Sequence, residues 1–337
     1  MNRTVRNYTI HGMNLSVEAD CPSWVVGLDA SIGRFVGKPT DGDAGGNEFF
    51  SLIARRARPE TFPPPAADLK ELWRGVLPGG VYAVHHVGVG VRRIELPGKA
   101  ALWMDLKRRC ADLHVANCPP WQLLAGCIGP ALWEFLSQTG QYVVHAACLT
   151  ADGRDDSPAI LIAGVSGSGK TTTALALAGA GFGLQTDDAS VLVGRDGQIR
   201  VWGLPRPCKV HEKTFALLDW LERLESRPAV TQGERLIDID KIAPTRPGRK
   251  AVPRMILLLG PRSDGEHEFS QVDSLTALTE LADQNIRVRD ARAEGPAGRM
   301  FAALAECVRQ CRAYRLSVGA ELSNLADRVR ALADWEG

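Results

Sequence analysis

The sequence predicts an α/β protein in two parts, a β-rich N-terminal domain over 1–118 and an α/β domain over 119–337. Three observations predict this. Short alternating apolar stretches separated by turn residues fill the first part. Residues 159–178 read as an apolar strand, a glycine-rich turn and a helix, Ala159-Ile160-Leu161-Ile162-Ala163, then Gly164 to Gly169, then Lys170 onward. Helix-period apolar patterns dominate the C-terminal part.

Over 1–40, Tyr8-Thr9-Ile10 and Leu15-Ser16-Val17 alternate between turn residues, which predicts hairpins rather than helices. Residues 37–47, rich in glycine and charge, read as an exposed loop. Pro63-Pro64-Pro65 can continue neither a helix nor a central strand. From Gly79 the pattern returns to strands, with Val81-Tyr82-Ala83-Val84, Val87-Gly88-Val89-Gly90-Val91 and Arg93-Ile94-Glu95-Leu96 supplying two or three strands of an antiparallel sheet. His85 and His86 are neighbours on a strand, so they point to opposite faces, and no carboxylate cluster accompanies them; a metal site is not expected there.

Residues 119–140 change character. Pro119-Pro120 leads into Trp121, Leu123, Leu124, Ile128, Leu132, Trp133, Phe135 and Leu136 at helical spacing, ending at Gly140. The domain boundary is placed within or just before this helix. Residues 142–149 follow as an apolar strand interrupted by His145, then a polar turn over 152–158 and the strand 159–163. A hairpin thus feeds the glycine-rich turn, unlike the start of an ordinary doubly wound sheet.

Residues 164–171 spell Gly-x4-Gly-Lys-Thr, the phosphate-loop pattern, in its strand–turn–helix setting. Gly164, Val165, Ser166, Gly167, Ser168 and Gly169 would let successive backbone N–H groups turn around a polyphosphate, and the helix N-terminus adds partial positive charge. Lys170 reaches the outer phosphates, Thr171 offers its hydroxyl to Mg²⁺, and Thr172 is counted with the nucleotide-binding residues. The implied ligand is ATP with Mg²⁺.

Asp187-Asp188 comes next, at the tip of the strand pattern 183–193. Adjacent carboxylates suit Mg²⁺ and phosphoryl chemistry, one holding the ion while the other takes a hydroxyl proton; an acidic turn would look the same. Gly194 to Gln198 turns a hairpin. Pro205 and Pro207 fix the backbone around Arg206, which either preorganises an anion contact or simply makes a rigid loop, with Lys209 just beyond. Residues 211–224 look helical. Residues 225–253 mix proline, glycine and charge, and read as a basic loop that either covers phosphate or substrate, with Arg249 and Arg254 as candidate contacts, or is only solvated. Residues 255–259 form a buried strand. Helices are expected over 274–283, 298–311 and 319–335, with a strand over 314–318.

Composition excludes several classes. Forty basic and thirty-nine acidic residues in 337 leave a net charge of +1, no overall field for nucleic acid or an anionic membrane. No apolar run approaches the ~18 to 20 residues of a membrane span. The start Met-Asn-Arg-Thr-Val-Arg lacks a signal-peptide core, so a cytoplasmic protein is expected. Eight cysteines, at 21, 110, 118, 127, 148, 208, 307 and 311, contain no Cys-x-x-Cys pair; they are expected to be reduced thiols.

The order of parts, His145 on a strand, a hairpin turn, Gly164 to Thr171, then Asp187-Asp188 sixteen residues on, resembles the kinase domain of HPr kinase/phosphorylase. It is also similar to the distant relative phosphoenolpyruvate carboxykinase, whose fold builds the phosphate loop into a mixed sheet. Within that group the chain looks most like the stand-alone kinases encoded beside lasso-peptide biosynthetic genes, which phosphorylate a serine at the precursor's C-terminus. The narrower likeness rests on the β-rich N-terminal half, Val144-His145-Ala146-Ala147, Leu204-Pro205-Arg206-Pro207, and the ending Tyr-Arg-Leu-Ser-Val-Gly-Ala-Glu-Leu over 314–322. The broader one is carried by 140–195.

The resemblance implies a P-loop kinase domain of HPr kinase/phosphoenolpyruvate carboxykinase type. Lys170 would bind the β- and γ-phosphates, Thr171 the metal, and Asp187 and Asp188 would share metal binding and activation of the acceptor hydroxyl, with His145 beside them; which aspartate does which stays open. The partner implied is a peptide or protein with an acceptor serine. The Glu-x-Arg-Gly-Leu-Gly segment of HPr kinase/phosphorylase has no counterpart here, so neither phosphorolysis nor HPr as substrate is implied. The family's bacterial enzyme is a hexamer, but the N-terminal half differs, which leaves a homo-oligomer open. Two other classes share these features: a kinase of a small-molecule hydroxyl, and a regulatory ATPase that transfers nothing. The aspartate pair argues against the last, since a switch needs no base for an alcohol.

Overall fold

The computed structural model describes residues 3–36, 48–77, 80–151, 157–195, 197–229, 232–242, 248–286 and 295–333. The loop expected over 37–47 and most of the turn over 152–158 lie outside these residues. Residues 1–139 and 140–337 form two compact units, with β-rich structure in the first and mixed α/β structure in the second. The helix at 120–138, assigned from the sequence to the second domain, belongs to the first. Its apolar face explains why: the Phe135 ring lies 4.9 Å from that of Phe50, and a Cβ on Gly126 would stand 2.7 Å from the Leu96 side chain.

The first unit opens with the expected hairpin, β1 (Thr4–Ile10) and β2 (Met13–Ala19), turned by His11 and Gly12 at positive φ. A helix, α1 (Ser23–Ile32), follows where only hairpins were expected. Its apolar residues recur every three or four positions and bury Trp24, Val25, Leu28 and Ile32. Gly27 and two adjacent β-branched valines weaken its helical signal. Then come β3 (Glu48–Arg56), β4 (Lys70–Leu77), β5 (Val81–Gly88), β6 (Val91–Leu96), β7 (Ala100–Asp105) and β8 (Cys110–Val115). All eight strands join one sheet, in the order β1-β2-β3-β8-β7-β6-β5-β4, with β3 parallel to both its neighbours and every other pair antiparallel. The sequence had indicated only part of it.

The helix that completes this unit is α2 (Pro120–Leu123), one wide turn (Leu124–Ile128) and α3 (Gly129–Gln138). Pro130 accounts for the wide turn, because its ring excludes both the N–H and the close carbonyl of a regular helix. His85 stands edge-on to Trp73 at 5.4 Å between centroids.

The second unit begins with β9 (Gln141–Val144), β10 (Ala146–Thr150), β11 (Pro158–Ala163), α4 (Lys170–Gly179), β12 (Gly183–Thr186), β13 (Ser190–Arg195), β14 (Gln198–Gly203), β15 (Cys208–His211) and α5 (Glu212–Leu217). It continues with β16 (Arg227–Pro228), β17 (Glu234–Ile237), α6 (Ile239–Ile242), β18 (Val252–Leu259), β19 (Glu268–Val272), α7 (Ser274–Asn285), α8 (Pro296–Arg309), β20 (Arg312–Ser317) and α9 (Leu325–Ala333). The main sheet runs β12-β10-β11-β18-β20-β19 and is mixed: β18 is parallel to β11 and β20, and the other pairs are antiparallel. Two small antiparallel sheets, β14-β13-β9 and β15-β17-β16, flank it.

Both faces of the main sheet are buried, so its central strands read as unbroken apolar runs. Ile160, Ile162, Met255 and Leu257 face α4 and α9, packing with Leu175, Leu177, Leu325 and Val329. Leu161, Ala163, Ile256 and Leu258 face the other way, against Leu281 of α7, Leu304, Cys307 and Val308 of α8, and Leu192 and Val201 of the small sheet. Each of the Leu, Ile, Val and Met side chains among them, fully buried, contributes about 1.5–3 kcal/mol.

Two segments expected as single strands are each broken. Residues 142–149 pass from the small sheet (β9) to the main one (β10), interrupted at His145. Residues 183–193 pass from the main sheet (β12) to the small one (β13), interrupted over 187–189. The two paired strands change sheet together, and the candidate site stands at their interruptions. The helical reading of 211–224 reduces to α5 and a 3-10 turn over Asp219–Arg223, and the last helix starts at Leu325 rather than 319. No helix of the described residues is long and apolar enough to cross a membrane, and all eight cysteines are unpaired thiols.

Candidate functional site

The loop 164–169 leaves the C-terminal end of β11, next to the parallel strand β18, the edge where open α/β sheets hold ligands. Gly167 (φ 82°) and Gly169 (φ 96°) adopt left-handed conformations, and a Cβ at either would meet nothing within 4 Å; backbone freedom, not space, is what these positions require. Gly164 is the reverse case. A Cβ there would stand 2.7 Å from Ser168 Oγ and 3.1 Å from Leu259 Cβ.

Lys170 opens α4 and is 5 % exposed, its ammonium donating to the carbonyl oxygens of Gly164 (2.8 Å) and Val165 (3.1 Å). Burial lowers its pKa, and the charges of Asp188 and Asp187 oppose that shift. Ser168 Oγ is buried with no hydrogen-bond partner. An orphan hydroxyl, a cation held by loop carbonyls and two left-handed glycines within six residues fit an anionic ligand of phosphate type. Val165, Ser166 and Gly167 form the exposed rim.

Asp187 and Asp188 leave β12 side by side but enter different environments. Asp187 is 5 % exposed and its Oδ2 accepts a hydrogen bond from Thr171 Oγ1 at 3.2 Å; the Cys208 thiol also bonds to it. Burial, followed by the neighbouring charge of Asp188, pushes its carboxyl up to about 6. Asp188 is half-exposed and bridges two cationic or cation-forming groups: His145 Nδ1 lies 2.7 Å from Oδ1, and Arg206 Nη2 lies 2.7 Å from Oδ2. Burial works against its ionisation, but the His145 hydrogen bond and the Arg206 charge outweigh it and hold the carboxyl well below the usual range. The pair therefore splits into one buried carboxyl of raised proton affinity and one ionised, accessible carboxylate.

Local backbone bonds explain how these side chains meet. Thr186 Oγ1 accepts from the N–H of Ala189 at 3.2 Å, turning the chain through Asp187-Asp188, and Ser190 Oγ donates to Ala146 O at 2.8 Å, tying that turn to the residue after His145. The Leu204 N–H donates to Ala189 O at 2.9 Å, which brings the Pro-Arg-Pro segment beside Asp188. Arg206 thus serves an aspartate in this structure, with further N–H donors of its fork suited to an anion.

The other candidates are placed elsewhere. Thr172 Oγ1 contacts Thr214 Oγ1 of α5 at 2.8 Å, and Lys209, half-exposed on β15, pairs with Glu234 at 3.1 Å. Arg254 is exposed near the start of β18, between Pro253 and Met255, which pair with Ala159 and Ile160; that is the end of the sheet away from the loop. Arg249 lies two residues before Ala251, whose bridge to Val201 also belongs to that approach to β18.

Three residues of the site carry no motif. Cys208 touches Asp187, and burial together with that carboxylate pushes its thiol pKa well up. From the C-terminal end of α7, Gln284 Oε1 accepts from the Gly164 N–H at 3.1 Å and Asn285 Oδ1 from the His145 N–H at 2.6 Å. Separations of 120 and 140 residues hide both contacts from any local reading.

The oxygen donors Thr171, Asp187 and Asp188 suit a hard cation such as Mg²⁺. No group of three or more His, Cys, Asp or Glu able to hold a metal occurs among the described residues. An ion shared with nucleotide phosphates needs no such group, since it takes one or two carboxylates and keeps water. Compared with known proteins, the chain matches no family model and has no significant match among curated proteins.

Proposed function

We propose that the chain is an ATP-dependent kinase that transfers the γ-phosphoryl group to a serine hydroxyl of a peptide or protein. One observation carries the reading: the Thr171–Asp187 contact joins the glycine-rich loop to an aspartate pair whose second member is held ionised by His145 and Arg206. A loop that only bound nucleotide would need none of the last three groups.

The roles follow from the two environments. Thr171 and Asp187 would hold Mg²⁺, which supplies charge neutralisation at the β- and γ-phosphates. Lys170, released from the Gly164 and Val165 carbonyls, would pair with the same phosphates. Asp188 orients the acceptor hydroxyl and takes its proton as the serine oxygen bonds to phosphorus and the bond to the ADP oxygen breaks. Its low proton affinity is compatible with this, because a loose transition state asks for orientation more than for strong basicity. His145 and Arg206 keep Asp188 ionised and fix its rotamer. The resemblance to the lasso-peptide precursor kinases makes a C-terminal serine the first acceptor to test.

The test is transfer of labelled phosphate from Mg-ATP to peptides ending in serine, read by mass spectrometry beside a peptide-free control. Phosphate on the terminal serine supports the proposal. ATP consumption without phosphopeptide moves the assignment to a small-molecule acceptor or a regulatory ATPase, and failure to bind Mg-ATP overturns it.

A further inference from the structure

The ladder between β10 and β11 ends at the pair Ala146↔Ala163. In an antiparallel register the next rung would join His145 to Gly164, one a candidate catalytic residue and the other the first residue of the nucleotide loop. The strands part there: β9 goes on to pair with β13, and Gly164 turns into the loop. Two backbone N–H groups are left at the fork. Each is taken by a side chain of one dipeptide, Gln284 for Gly164 (3.1 Å) and Asn285 for His145 (2.6 Å).

The dipeptide is itself firmly held. Asn285 Nδ2 donates to Leu281 O at 2.8 Å, which directs Oδ1 at the fork. Leu281 and Ala277 of α7 are buried against the main sheet, and Asp273 caps the start of the helix by accepting from the N–H groups of Leu275 and Thr276, both at 3.0 Å. A rigid helix thus presents adjacent acceptors to two chain segments that must hold a fixed separation if nucleotide and acceptor are to line up.

The geometry points to Gln284 and Asn285 as a positioning clamp that replaces the missing rung and sets the distance between His145 and the nucleotide loop. This rests on the kinase reading for its effect on transfer, but the clamp exists independently of it. Gln284 acts on the nucleotide side by fixing where the loop begins. Asn285 acts on the acceptor side, since the backbone of His145 aims the imidazole that holds Asp188.

The experiment compares the full chain with Gln284→Ala, Asn285→Ala and Asn285→Asp, the last keeping an acceptor oxygen. Amide hydrogen exchange, followed by NMR, reads the clamp without reference to activity. Gln284→Ala is expected to speed exchange at Gly164 but not His145, and Asn285→Ala the reverse, by about tenfold each, with Asn285→Asp, which keeps the acceptor but loses the bond to Leu281, restoring protection at His145 in part. In Mg-ATP binding and transfer, Gln284→Ala is expected to weaken nucleotide affinity about fivefold to tenfold with kcat retained, and Asn285→Ala to lower kcat with nucleotide affinity retained. Unchanged exchange at both amides overturns the clamp. Equal loss of both parameters in both variants also overturns it, because a helix with a merely structural role would act that way. A wild-type chain that binds no Mg-ATP while the exchange pattern holds overturns the kinase reading and leaves the clamp standing.

Discussion

Replacing Asp188 by asparagine separates chemistry from folding at this site. Asn is isosteric and keeps one acceptor oxygen, but removes the charge that faces both His145 and Arg206 at 2.7 Å. Asp188 is 39 % exposed, so these ion pairs are screened and their loss is expected to cost the fold no more than about 1 kcal/mol. Loss of a positioned proton acceptor is worth about 10²- to 10⁴-fold in rate, or roughly 3–5 kcal/mol of barrier. The variant is therefore expected to lose transfer to a serine peptide by at least about a hundredfold while its thermal midpoint moves by only a few degrees. A second consequence follows inside the pair. The Asp188 charge helps raise the Asp187 carboxyl, so its removal should let Asp187 ionise at lower pH. Mass spectrometry of the peptide product and circular-dichroism melting read the first two quantities. Near-normal turnover would refute the role given to Asp188, and collapse of the melting transition would refute the argument that its pairs are marginal for the fold.

Other outcomes follow from the same geometry. Asp187, with its carboxyl pushed up to about 6, must shed a proton before holding a cation, so Mg²⁺-dependent nucleotide affinity is expected to rise with pH from about 5 to 7; Asp187→Asn should abolish that dependence in calorimetric titrations, and a flat wild-type profile would refute it. The sign for stability is the same in origin: the raised pKa makes ionised Asp187 unfavourable to the fold, so its contribution falls as pH rises from the unfolded value of 3.8 through about 6. Lys170→Ala removes the cation shared by the Gly164 and Val165 carbonyls and is expected to weaken Mg-ATP binding at least about tenfold in calorimetry, with the fold kept. Gly203→Ala would place a Cβ 2.3 Å from the Gln185 carbonyl oxygen, two residues before Asp187, and is expected to destabilise by about 1–3 kcal/mol, read as a lower melting temperature.

The sequence by itself determined what contiguous residues encode. The strand, turn and helix around Gly164 to Lys170 lie where the spelling placed them, because close-packed glycines and a helix start are properties of a few neighbouring positions. Period-2 patterns marked the β1–β2 hairpin and β5, and the doubly buried strand β18 announced itself as an unbroken apolar run. Helix α1 escaped because its glycine and β-branched residues blunt a pattern of only ten residues. What the tertiary structure alone decided is everything that depends on distant partners. Asp187 and Asp188 are identical as letters, and only burial beneath Thr171 and exposure beside His145 and Arg206 set their proton affinities apart. Arg206 and Arg254 are equally cationic in sequence, yet the first is folded onto Asp188 and the second stands near the start of β18, at the end of the sheet away from the loop. Gln284 and Asn285 carry no motif at all; they matter because a rung is missing where two strands part, and a hydrogen-bonding vacancy becomes visible only when the chain on both sides of it is in place.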